Sequence, residues 1–288
     1  MCSAFTLLEV LVATAVLALM MTFLFNLLGS SAKLWEIGNK KIEAAQAARV
    51  GLNIMANDLK NAFAGNVTSF TSTGNSTYNI APFLGISGNN LTVQGDLNGD
   101  ASIANGSDQL FGIRLTTDTS NPYEQFGYQC VYITKSGGYD NMRDKRYYLV
   151  SQNNSDNFYF RNSSSNSTTW YSSSYSSNYP IIDNCIRLNF KYYGDPDSPS
   201  GNATWSSNGT WSSNATTSHL PLGVLVTLSV IDSKTAEKIA AINGGTALTG
   251  PEIDNGLSNP PLSNLTPVER LISQGSVTMS RFISFNSQ

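Results

Sequence analysis

The chain has 288 residues and a hydrophobic fraction of 41%, enough for one large domain or two small ones with a true core. Charged residues make up only 13% and the net charge of −3 is spread without long runs, which excludes the basic footprint of a nucleic-acid-binding protein. Ser, Thr, Asn and Gly replace the missing charge, a surface chemistry commoner outside the cytoplasm.

Residues 5–28 read FTLLEVLVATAVLALMMTFLFNLL, with one charge (Glu9) and neither Pro nor Gly. As a helix this run spans about 36 Å, enough to cross a hydrocarbon core. A secretory signal has an apolar region of about 7–15 residues, basic residues before it and a small-residue cleavage site after it. Here the run is longer, no Lys or Arg precedes it and no Ala-x-Ala motif closes it. A lipoprotein signal fails too, because Cys2 stands before the apolar run. A carboxylate near the end of such a span is costly, so Glu9 is a candidate functional residue unless it snorkels to the interface.

From residue 30 to 64 the pattern stays helical but becomes amphipathic. Ile42, Ala45, Ala48, Leu52, Met55, Leu59 and Phe63 recur at three- and four-residue intervals, with Lys40, Lys41, Glu43, Arg49, Asn53, Asn57 and Lys60 between them. Gly29, Gly38 and Gly51 are candidate bend points, and Gly65 suits the C-terminal stop.

Beyond Gly65 the periodicity turns strand-like. Residues 109–116, 128–134, 146–150, 157–161, 186–193 and 222–231 are short β-rich runs separated by Gly-, Asn- and Ser-rich turns. No helix of about ten or more residues recurs between them, which predicts an antiparallel sheet rather than a parallel one. Residues 151–218 form a polar low-complexity zone suited to surface loops. Trp170, Tyr171, Tyr175, Trp205 and Trp211 are interleaved in it, so the zone is either a set of solvated loops or a contact surface for a partner or polysaccharide.

Chemistry is sparse. The single histidine, His219, has no identifiable acid or nucleophile partner, and no Cys-x-x-Cys, His-Glu-x-x-His or phosphate-binding Gly loop occurs, so no enzymatic activity is expected. Asp96, Asn98 and Asp100 place oxygen ligands at alternate positions, and Ser102 and Asp108 are candidates to add to them. This set suits calcium but lacks the Gly and Glu of an EF-hand, so a solvated turn is the other reading. Cys2 precedes the apolar run, which leaves Cys130 and Cys185 as either one disulfide in an oxidising compartment or two unrelated buried thiols.

The residues Phe5-Thr6-Leu7-Leu8-Glu9-Val10-Leu11-Val12-Ala13 resemble the cleavage and methylation motif of type IV pilins and type II secretion pseudopilins. The resemblance implies that a prepilin peptidase cuts between Ala4 and Phe5 and methylates the new N-terminus at Phe5. Glu9 becomes the fifth mature residue, whose family role is to pair with the N-terminal ammonium of a neighbouring subunit. Here Ala4 stands where the family usually has Gly, and the leader 1–4 lacks basic residues. Lys33, Lys40, Lys41 and Arg49 follow the span instead, a charge count that on its own would keep the rest of the chain in the cytoplasm.

Residues 48–64 (ARVGLNIMANDLKNAFA) are similar to J-type minor pseudopilins, as is Leu220-Pro221-Leu222-Gly223-Val224 before a late strand. The first of these segments also looks like the pilin-like proteins of Verrucomicrobia-associated cassettes. The implied architecture is α+β and pilin-like. It has a leader (1–4), a transmembrane assembly helix (5–28), an amphipathic continuation (29–65) and a β-rich head (66–288), with the helix packed on an antiparallel sheet bearing long polar loops. The implied protein is a non-enzymatic minor, tip-located subunit of a pilus or pseudopilus. It would be held in the bacterial inner membrane with its head in the periplasm, and its partners would be the peptidase and other subunits. Related pseudopilins use calcium. The alternative is a single-pass anchored binding or adhesion module that does not polymerise.

Overall fold

The computed structural model describes residues 7–62, 67–71, 74–78, 83–86, 101–103, 106–115, 123–133, 147–154, 177–194, 204–205, 211–212, 220–258 and 261–285. The fold is α+β, with one long N-terminal helix and antiparallel sheets. By its internal contacts the chain falls into two units, Met1–Glu43 and Ala44–Gln288.

Helix α1 (Leu7–Lys60) is continuous through Gly29, Gly38 and Gly51. It stops five residues before Gly65. The amides of Asn61 and Ala62 turn back to the carbonyls of Asp58 and Leu59, a tight i→i−3 closure that ends the α-helical ladder.

In the larger unit, α1 buries Ala44, Ala48, Gly51, Leu52, Met55, Ala56, Asp58 and Leu59. The buried stripe therefore agrees with the expected one at Ala48, Leu52, Met55 and Leu59. Ile42 is 56% exposed instead of buried, and Ala45 is only half-buried. Ala and Gly at the contact let backbones approach closely, so small residues rather than Ile42 open the docking face.

Of the strands, β1 (Val67–Thr71) and β2 (Gly74–Tyr78) form a separate hairpin. The largest sheet has the order β11-β3-β5-β6-β7-β8, with β4 also paired to β6. Its members are β3 (Phe83–Ile86), β4 (Ala101–Ile103), β5 (Gln109–Leu115), β6 (Tyr123–Ile133), β7 (Tyr147–Asn154), β8 (Ser177–Asp183) and β11 (Trp211–Ser212). The second sheet has the order β10-β9-β12-β13, from β9 (Cys185–Gly194), β10 (Thr204–Trp205), β12 (Gly223–Ile231) and β13 (Ser276–Ser284). Every recorded strand pair is antiparallel, as expected. The expected strand 157–161 lies outside the described residues.

Strands β9 and β12 show why their sequence alternates. Tyr192 faces Val224, Phe190 faces Val226 and Leu188 faces Leu228, all buried on the face that joins the α1 residues in one apolar cluster. Residues on one face recur every second position, so these cross-strand pairs fix the register. The chain crosses from one sheet to the other at Asn184, between β8 and β9, with φ of 60°. Asn tolerates this left-handed geometry better than other non-glycine residues. Its carbonyl accepts from the Ile231 amide at 3.0 Å, which pins the corner to the end of β12.

Three short helices after β12 and the strand β13 were not expected from the sequence. Helices α2 (Ser233–Ile242), α3 (Gly250–Leu257) and α4 (Pro267–Gly275) contribute Ile239, Ile253, Val268 and Ile272 to the core. Asp232 caps α2, while Thr249 and Thr266 each form a reciprocal capping box, with Glu252 and Glu269. Gly275 ends α4 against the α2 cap, where a Cβ would lie 2.2 Å from Thr235 Oγ1. Only glycine lets β13 leave α4 at that point.

Candidate functional site

The first candidate is the N-terminal part of α1. Leu7, Leu11, Phe23, Phe25 and Leu28 are all exposed, and the helix is long and apolar enough to cross a membrane. Three of its hydroxyls bond back to the helix: Thr14 donates to Leu11 O, Thr22 to Ala18 O and Ser30 to Asn26 O. Polar groups that bond back to the ladder enter hydrocarbon at little cost. Glu9 lies in the first turn, on the exposed surface. It stands about 28 Å along the axis from Leu28, close to the thickness of a hydrocarbon core. Ala4 and Phe5, the expected processing pair, lie outside the described residues.

The second feature is an ion-pair network that the sequence reading did not find. Asp58, on the last turns of α1, is buried and accepts from Arg114 Nη1 of β5 and from the Tyr128 hydroxyl of β6. Arg114 also donates to Glu124 of β6, from Nε at 2.8 Å and Nη2 at 2.5 Å. Burial by itself lowers the pKa of the Arg114 guanidinium, but the Asp58 and Glu124 carboxylates outweigh it and the net shift is upward. At the other edge of the helix, Arg281 of β13 donates to the Asn53 side chain. The head thus holds α1 through both sheets.

The remaining candidates separate. Asp108 is buried, and its Oδ2 accepts from the Phe190 amide at 2.8 Å and from Asn189 Nδ2 at 3.3 Å, so its carboxylate binds the β9 backbone. Ser102 lies on β4, while Asp96, Asn98, Asp100 and His219 lie outside the described residues. Among the described residues no group of three or more His, Cys, Asp or Glu side chains is placed to hold a metal. Cys130 and Cys185 are brought together as buried thiols and stand free rather than bridged in this structure.

Trp211, placed by the sequence reading in a loop or contact surface, is instead a core residue beside Tyr192, at a ring separation of 6.0 Å. Trp205 differs. It is 49% exposed and packs between Tyr193 at 5.2 Å and Phe282 at 5.8 Å, on the outer face of the second sheet. Phe282 lies across Gly223, where a Cβ would come within 2.2 Å of the ring. Trp170, Tyr171 and Tyr175 lie outside the described residues.

Comparison with family models, curated proteins and solved structures finds no match for this chain.

Proposed function

We propose that the chain is a membrane-anchored, pilin-like structural subunit, processed between Ala4 and Phe5 and assembled through α1 into a type IV pilus or secretion pseudopilus. The observation that carries this reading is the division of labour along one continuous helix. Its apolar first half is exposed and holds a single acid, Glu9, while its last turns are clamped by Asp58 and Asn53 into a β-rich head. A carboxylate and an ammonium are each expensive in hydrocarbon, and pairing Glu9 with a neighbour's N-terminal ammonium offsets both penalties at once. The large, polar head favours a minor position at the tip, because bulky heads pack poorly in a long array. The head faces the periplasm, and a calcium ion held by Asp96, Asn98 and Asp100 belongs to the same proposal.

Mass spectrometry of the N-terminus in membrane and filament fractions tests the reading. It requires a mature chain that starts at N-methylated Phe5. An intact Met1 terminus throughout would overturn it.

A second reading has its own support. The exposed Trp205 and Phe282, with half-buried Tyr193 beside them, suit an anchored binding module that never polymerises. Such a protein stays in the membrane fraction and is missing from filaments.

A further inference from the structure

Cys130 sits in the middle of β6, paired with Leu149 of β7, whereas Cys185 opens β9 and pairs with Val230 of β12. The two are 55 residues apart in sequence and belong to different sheets. The fold brings them into contact: Cys130 Sγ lies 2.7 Å from the carbonyl oxygen of Cys185. Both residues are fully buried in the same core cluster. The backbone of each is held by its own ladder, and that contact places the Cys130 sulfur against the Cys185 main chain.

The surroundings argue against a catalytic thiol pair. Burial pushes the Cys130 thiol up, and the Cys185 thiol beside it adds to the effect, which keeps it protonated and a poor nucleophile. Polar contacts also hold the start of β9, which Cys185 opens. Ser107 is buried and accepts from the Leu188 amide at 3.3 Å, while Arg187 donates to Gly106 O at 2.8 Å and to Asp254 of α3. Both cysteines are fully buried in the folded head, so oxidation is expected while the head closes.

We infer that Cys130 and Cys185 form an intrachain disulfide that staples the two sheets together, made during folding by a disulfide-bearing oxidant in the compartment of the head. One thiolate attacks the oxidant and releases its first thiol. The second thiolate then attacks the mixed disulfide and releases the other. Two cysteine thiols and one oxidant disulfide become one protein disulfide and two oxidant thiols, with two electrons passing to the oxidant. This extends the proposed function to a covalent bond. It needs only an oxidising compartment around the head, so it stands or falls apart from filament assembly.

The test takes full-length chain from the membrane fraction, quenched in acid and alkylated with N-ethylmaleimide in denaturant without reductant. Trypsin cuts after Arg114, Lys135, Arg161 and Arg187, which places the cysteines in peptides 115–135 and 162–187. The expected product is these two peptides joined, two hydrogens lighter than their sum. Both peptides carrying maleimide would overturn the inference, whether or not the chain enters filaments. As an independent measure, reductant present during unfolding lowers the Tm of the wild-type chain by roughly 5–15 °C. The Cys130→Ser/Cys185→Ser chain does not respond. If that variant fails to fold, the peptide linkage in the wild type still decides.

Discussion

Asp58 on α1 and Arg114 on β5, 56 residues apart in sequence, form an ion pair that ties the last turns of the long helix to the larger sheet. The pair is not isolated, because Tyr128 occupies the second oxygen of Asp58 and Glu124 takes the rest of the guanidinium. Removing Asp58 therefore strands both a buried hydroxyl and part of a cation. Asp58→Ala is expected to cost about 2–4 kcal/mol and to lower the Tm by roughly 4–16 °C. Tyr128→Phe, which removes one hydrogen bond, costs about 1 kcal/mol. Thermal unfolding of the detergent-solubilised chain checks both, and an Asp58→Ala chain as stable as the wild type would mean that the clamp contributes nothing.

The corner at Asn184 gives a sharper comparison. Its φ of 60° suits Gly and Asn and penalises a β-branched residue by about 1–2 kcal/mol. Asn184→Val should melt roughly 2–8 °C below Asn184→Gly. Equal melting temperatures would show that the corner relaxes out of the left-handed region.

Acid should weaken the N-terminal cap of α4. Glu269 is held below its ordinary pKa of 4.5 by the Asn255 side chain, which donates at 2.8 Å, and by the Thr266 amide, which donates at 2.7 Å. A carboxylate whose folded-state pKa is depressed contributes its full stability above the unfolded value and loses it as the pH falls through the folded one. The Tm advantage of wild type over Glu269→Gln should therefore be constant above pH 5 and shrink steadily below about 4.5. An advantage that is flat down to pH 3 would remove Glu269 from the account.

The role proposed for Glu9 separates insertion from assembly. Glu9→Ala makes the span more apolar, so membrane insertion is expected to be unchanged, whereas recovery in sheared filament fractions should fall at least tenfold. Wild-type recovery of this variant would rule out the charge-pairing role.

Some of this was legible in the sequence and some was not, for physical reasons. The long apolar run and the alternation in residues 186–193 and 222–231 identified α1, β9 and β12, because burial on one face imposes a period that survives in a single chain. Ile42 fits the apolar period yet stays exposed, because the docking face begins at the small Ala44. Helices α2 to α4 were missed because elements of 8–10 residues rely on packing more than propensity. Their starts were nevertheless written in Thr249-Gly-Pro-Glu and Thr266-Pro-Val-Glu. Strand β13 was hidden by Arg281, which breaks an apolar alternation in order to reach Asn53. The Asp58–Arg114 clamp left no local trace, because either residue alone resembles a solvated charge.

The contact between Asn53 and Arg281 bridges 228 residues. During synthesis at about 5–20 residues per second, α1 emerges roughly 10–50 s before the strand that completes its binding site. Through that interval the site for residues 44–59 lacks its last strand, β13, although β5 and β6 are already made. The order of translation therefore leaves one side of the helix open until the last strand is made, and Arg281 closes it.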